Sequence, residues 1–100
     1  MSTEHNPDDV RRRREEIDRL DAELVQLLNR RASIALDLAE LKQNLGLNIC
    51  DPERERQVLA QVTSLSDGPF DERSLIRIFQ RIIWESRRIE QQRQGFGGEQ

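Results

Sequence analysis

A single aliphatic stripe constrains this chain more than any other feature. From about Arg13 to Leu45, Ile17, Leu24, Leu38 and Leu45 fall at one heptad position, and Leu20, Leu27, Ile34 and Leu41 fall at the other. That spacing predicts a helical seam of more than four heptads. One seam position breaks the rule. Arg31, seven residues from both Leu24 and Leu38, stands where its neighbours on the stripe are aliphatic, and a charge taken out of water there needs a partner. Lys42 follows eleven residues later. That interval is three helical turns with about 20° left over, so Lys42 shares a face with Arg31 about 16 Å along the axis. A lone arginine on a seam is more often a register device or a snorkelling side chain than a ligand-binding group. The case for a site therefore depends on what later segments bring to their own apolar faces.

The seam also bears on assembly. A helix of about 33 residues is about 50 Å long, far longer than a compact domain of 100 residues is wide. With 35% apolar residues and four aromatics, a monomer would have a thin core. Part of the seam must then be covered by a second chain, and an intertwined homodimer is expected. The formal charge of −3 and the lack of a sustained basic run argue against nucleic-acid binding, because the Arg11–Arg14 cluster is followed at once by Glu15, Glu16 and Asp18. No run of 18 apolar residues and no signal-peptide core is present, so a soluble cytoplasmic protein without a membrane partner is expected. A single Cys50 and a single His5 offer neither an intrachain disulfide nor a metal site.

The chain parses into three helices, one long and two shorter. Pro7, Asp8 and Asp9 read as a start, with acidic residues at the positive end of the dipole, and Gly46 reads as the stop. Asp51-Pro52 is a second start, with Asp as N-cap and Pro at the first helical position. Glu55, Val58, Leu59, Val62 and Leu65 form the stripe of that helix, with Glu55 its odd member. Ser66-Asp67-Gly68-Pro69 is turn chemistry, and Asp71 caps the third helix. The third stripe runs through Leu75, Ile78, Phe79, Ile82 and Ile83 and on to Ser86, Ile89 and Glu90. Ser86 and Glu90 are its polar members, one turn apart. The predicted organisation is an all-α domain over residues 8–92, between a tail at 1–7 and a second tail at 93–100 that lacks periodicity.

The polar groups on these faces are Arg31, Lys42, Glu55, Ser86 and Glu90, with Arg14 and Arg54 nearby. They contain no Cys–His pair, no Ser–His–Asp arrangement and no metal-ligand set, which disfavours covalent and metal catalysis. Cationic groups around an apolar pocket suit a small dianion instead, since Arg forks carboxylates and Lys acts as a point charge. Arg14 lies about 25 Å before Arg31 and about 100° round the helix. It cannot serve the same pocket within one chain unless that pocket is large, whereas in an antiparallel dimer it could reach the pocket of the other chain.

The order Arg14-x-x-Ile17-x-x-x-Asp21, Leu27-Leu28-x-x-Arg31, Lys42, Asp51-x-x-Arg54-Glu55-Arg56 and Phe79-x-x-Ile82-Ile83-x-x-Ser86-x-x-x-Glu90 resembles the all-α (AroQ-class) chorismate mutases. The resemblance covers about residues 10 to 92. The Asp67-Gly68-Pro69-Phe70 turn, with Ile78 and Phe79, looks especially like the mutase domains fused to, or associated with, DAHP synthase, and so implies a possible association with that enzyme. The resemblance implies rearrangement of chorismate to prephenate without a cofactor, in the biosynthesis of phenylalanine and tyrosine. It implies that Arg31, and Arg14 of the other chain, bind the two carboxylates of the substrate. Lys42 would contact a carboxylate and the ether oxygen, residue 90 would donate to that oxygen, and Ser86 would assist a carboxylate. Glu55, with the backbone near Asp51, would hold the ring hydroxyl, and Arg54 would line the site. One residue departs from the pattern: many members carry Gln where this chain has Glu90. An ionised carboxylate only accepts, so Glu90 must carry a proton to do the work of that amide.

Three rival readings remain at this point: an isochorismate pyruvate-lyase, a 4-amino-4-deoxychorismate mutase, and a non-catalytic helical dimer that regulates DAHP synthase. The Asp51-Pro52-Glu53-Arg54-Glu55 start, able to hold a ring hydroxyl, favours the mutase over the lyase.

Overall fold

The computed structural model describes residues 6–98. It is all-α, with α1 at Pro7–Asn44, α2 at Pro52–Leu65 and α3 at Glu72–Gly98. The chain divides into two compact units, one ending at Arg31 and the other beginning at Ala32.

Each helix begins on a side-chain cap. Asn6 caps α1: its Oδ1 accepts from the Asp8 N–H at 2.9 Å and the Asp9 N–H at 3.3 Å, while its own N–H donates to Asp9 Oδ2 at 2.9 Å. This reciprocal pair is a capping box with Asp in the usual Glu position, and Pro7 sits at the first helical position, where no N–H is needed. The first helical residue is thus Pro7, inside the stretch expected as a tail; the rest of that stretch lies outside the described residues. Asp51 caps α2 by accepting from the Arg54 N–H at 3.1 Å. Asp71 caps α3 by accepting from the Ser74 N–H at 2.8 Å, and that bond holds its carboxyl below the usual carboxylate range.

The end of α1 is set by Gly46. The Leu47 N–H donates to the Lys42 carbonyl at 2.8 Å and the Gly46 N–H to the Gln43 carbonyl at 3.1 Å, the two bonds of a Schellman motif. This closure needs the positive φ of 71° found at Gly46. The third helix is longer than its apolar stripe. It continues to Gly98, beyond the end of the apolar stripe, through Gln91, Gln92, Arg93 and Gln94, which are good helix formers with no proline among them. Glu99 and Gln100, the end of the expected second tail, lie outside the described residues.

The packed pair is α2 and α3. Val58, Leu59 and Val62 on one, and Leu75, Phe79, Ile82 and Ile83 on the other, are half-buried. In the second unit, α1 has two unlike faces. Ala32, Ala35 and Leu36 are half-buried and Ala39 is buried, a covered face of small residues at i, i+3, i+4 and i+7 spacing. Ile34, Leu38, Leu41 and Leu45 of the heptad seam are 49% to 70% exposed. In the first unit Ile17, Leu20, Leu24 and Leu27 are open too. In the second unit the alanine face of α1 is covered and the heptad seam is open.

Gly46→Ala should lower stability by about 1–2 kcal/mol, because the left-handed backbone penalises a Cβ even though no atom lies within 4 Å of where that carbon would stand. Thermal unfolding should show a lower Tm for Gly46→Ala and a smaller loss for Gly46→Asn. An unchanged Tm for both would remove the Schellman closure from the account.

Candidate functional site

The second unit carries most of the singled-out residues. Lys42 occupies the last turn of α1, three residues past buried Ala39 and four past exposed Leu38, on the border between the covered and open faces. Its carbonyl is a partner in the Schellman closure, so the glycine stop also fixes the turn that carries the ammonium. A cation there meets the negative end of the helix dipole.

At the start of α2, Asp51 spends its side chain as a cap, and its carbonyl accepts from the Glu55 N–H at 3.2 Å. These two bonds fix the backbone of Arg54 and Glu55. The Arg54 side chain is exposed, and Glu55 is half-buried. On α3, Ser86 is 8% exposed, the buried polar residue among those described. Its hydroxyl donates to Glu90 Oε2 at 3.3 Å, one turn on. The apolar stripe therefore does carry a polar pair at its end, and Glu90, half-buried, accepts within it.

One group was not anticipated from the sequence. Arg87 of α3 forms an ion pair with Glu55 of α2 through Nη2 and Oε1. That hydrogen bond holds the guanidinium more firmly protonated than usual, against an opposing desolvation, with smaller contributions from Glu55's charge, Cys50 and Glu90. A signal was available: Arg87 continues the row Phe79, Ile83 at i+4 spacing, and Glu55 is the odd acid on the stripe that α2 turns to α3. Opposite charges on two facing stripes are expected to pair.

The cations divide sharply. Arg11, Arg12, Arg13, Arg56, Arg81 and Arg88 are tied to nearby carboxylates on their own helices. Arg14, Arg31, Lys42 and Arg54 have no ion pair among the described residues. The same holds for exposed Arg19, Arg30 and Arg73. Half-burial makes the distinction: among the described residues, Arg31 and Lys42 are the cations that are both half-buried and without an ion pair. Arg14 is exposed in the first unit. Partly desolvated cations without counter-charges are suited to take anionic groups from a ligand.

Comparison with known proteins points to one family. A family model described as chorismate mutase type II matches residues 13–91. The chorismate mutase of Methanocaldococcus jannaschii is 36% identical over 80 residues, covering 79% of this chain and 81% of that one. Among solved structures, the chorismate mutase of Thermus thermophilus (form II) superposes with a TM-score of 0.81 at 31% identity, covering 83% of this chain and 94% of that one. The chorismate mutase of Helicobacter pylori in complex with prephenate gives a TM-score of 0.76 at 30% identity, covering 83% and 90%. Against bifunctional relatives the match is partial: the chain spans 22% of the chorismate mutase/prephenate dehydratase of Aquifex aeolicus.

Proposed function

The chain belongs to the chorismate mutase type II family, and from that premise we propose that it rearranges chorismate to prephenate as a homodimer whose two sites each draw on both chains. The observation that carries this reading is the match to a stand-alone chorismate mutase over most of both chains. The solved relative in complex with prephenate supports the substrate class.

The reaction is concerted. One C–O bond breaks as one C–C bond forms, and no nucleophile or proton donor to carbon is required. The protein's task is to hold a compact diaxial conformer and to stabilise negative charge growing on the ether oxygen. An acceleration of about 10⁶ corresponds to about 8 kcal/mol, within reach of a few charge-assisted contacts and conformer selection. In this reading Arg31, with Arg14 of the partner subunit, binds the carboxylates, and Ser86 assists. Lys42 contacts a carboxylate and the ether oxygen. Glu90, when protonated, donates to the same oxygen. Glu55 and the backbone at Asp51 hold the ring hydroxyl, with Arg54 lining the site. The half-buried state of Arg31 and Lys42, with no ion pair among the described residues, supports their part.

The open seam supports the dimer. Ile17, Leu20, Leu24, Leu27, Ile34, Leu38, Leu41 and Leu45 are each about half exposed or more, and burying one such side chain is worth about 1.5–3 kcal/mol. No helix among the described residues is long and apolar enough to cross a membrane, and we place the enzyme in the cytoplasm. Partnership with DAHP synthase belongs to the same proposal, motivated by the turn that leaves Phe70 exposed.

The direct test is loss of chorismate absorbance with formation of prephenate. Release of pyruvate from isochorismate, or turnover of 4-amino-4-deoxychorismate with chorismate untouched, would replace the reading, and a dimer inert to all three would make it a binding protein. Given activity, Arg31→Lys should lose about 10- to 100-fold in kcat/KM while remaining folded, since the charge stays but the two-pronged contact goes. Full activity in that variant would remove Arg31 from the site.

Glu90 has its own test. A glutamine amide donates at every pH, so Glu90→Gln should keep substantial activity and give a kcat/KM that depends less on pH than that of the parent protein. Identical profile shapes for the two proteins would exclude Glu90 as the proton-dependent donor.

A further inference from the structure

Glu55 poses an electrostatic problem. A carboxylate that faces a substrate bearing two carboxylates of its own repels it, and half-burial strengthens the repulsion by limiting the screening water supplies. Glu55 and Arg87 meet across the α2–α3 packing, with side chains 30% and 35% exposed. The ion pair engages Oε1 and leaves Oε2 without a partner among the described residues. Arg87 continues the Phe79–Ile83 row of α3 at i+4 spacing and is half-buried, so the cation stands on the side of α3 that meets α2 rather than on the outer surface.

We infer that Arg87 is a positioning residue for Glu55: its guanidinium neutralises the carboxylate and fixes Oε1, so that Oε2 can accept a hydrogen bond from a hydroxyl on a dianionic substrate without repelling that substrate. The inference rests on the proposed function and deepens it, assigning to this chain a counter-charge outside the residues carried over from the family pattern. Arg87 need not touch the substrate. It makes an anionic acceptor tolerable in a site whose ligand is itself an anion.

A plain interhelical tie would use the same two residues, so the test must separate charge from stability. Wild-type turnover of chorismate is measured first; without it the proposed function falls, and this inference falls with it. Given turnover, Arg87→Met, which keeps length and loses charge, should raise KM for chorismate about tenfold at low salt, with kcat within about twofold, because repulsion acts on bound substrate and transition state alike. The rise should shrink as salt increases, since added ions screen the uncompensated charge of half-buried Glu55 in part. Arg87→Lys should hold KM close to wild type. The double variant Glu55→Gln/Arg87→Met, with neither charge present, should recover much of the KM lost in Arg87→Met alone.

A KM unchanged in Arg87→Met while Tm falls would make the pair a structural tie and overturn the inference. So would a KM increase that ignores salt and is not recovered in the double variant. Should Arg87→Met fail to fold, Glu55→Gln carries the test from the other side: Arg87 is then an uncompensated cation, and KM should depend more steeply on salt than in wild type. An unchanged salt dependence there would overturn the inference equally.

Discussion

An aliphatic seam that its own chain leaves in water is the constraint on which the rest depends. In the second unit α1 keeps Ala32, Ala35 and Ala39 covered and presents Ile34, Leu38, Leu41 and Leu45 outward. No large side chain among the described residues is fully buried, so a single chain has little core from which to draw stability. Burial of the seam against a second copy would supply the missing core. It would also bring a foreign arginine to each site, so the same contact would serve stability and catalysis.

The charges follow a second logic. Six arginines are matched by a carboxylate three or four residues away, contacts worth only tenths of a kcal/mol on an exposed helix. Arg31 and Lys42 have no such match and are half-buried, which is costly unless something else brings the negative charge. Glu55 is the converse, an acid placed where a dianion is expected and matched by a cation from the facing helix. Unmatched cations and a matched anion are the charges that the proposed binding of an anionic guest calls for.

Much of this was legible in the residues. Period and punctuation are local properties, so the three helices, the Asp51 and Asp71 caps and the Gly46 stop could be read directly. Asn6 escaped because its capping box uses Asp9 in place of the commoner Glu. The alanine face escaped because small residues give a weak periodic signal beside a strong leucine one, although they decide which side of α1 the chain itself covers. Arg87 escaped because its partner lies on another helix: pairing across helices depends on rotation about two axes and on their relative height, which no spacing within one helix records. The reach of Arg14 was argued from helix geometry, and the proposal of a second chain rests on the open seam.

The central claim is that two chains build each site, and subunit exchange tests it most directly. Arg14→Ala and Arg31→Ala proteins, each inactive alone, are mixed under conditions that allow chains to exchange. In a heterodimer one site receives both wild-type arginines and the other neither. The mixture should regain activity, approaching about a quarter of the wild-type level for random exchange of equal amounts. Heterodimers confirmed by mass that remain inactive would contradict the shared site.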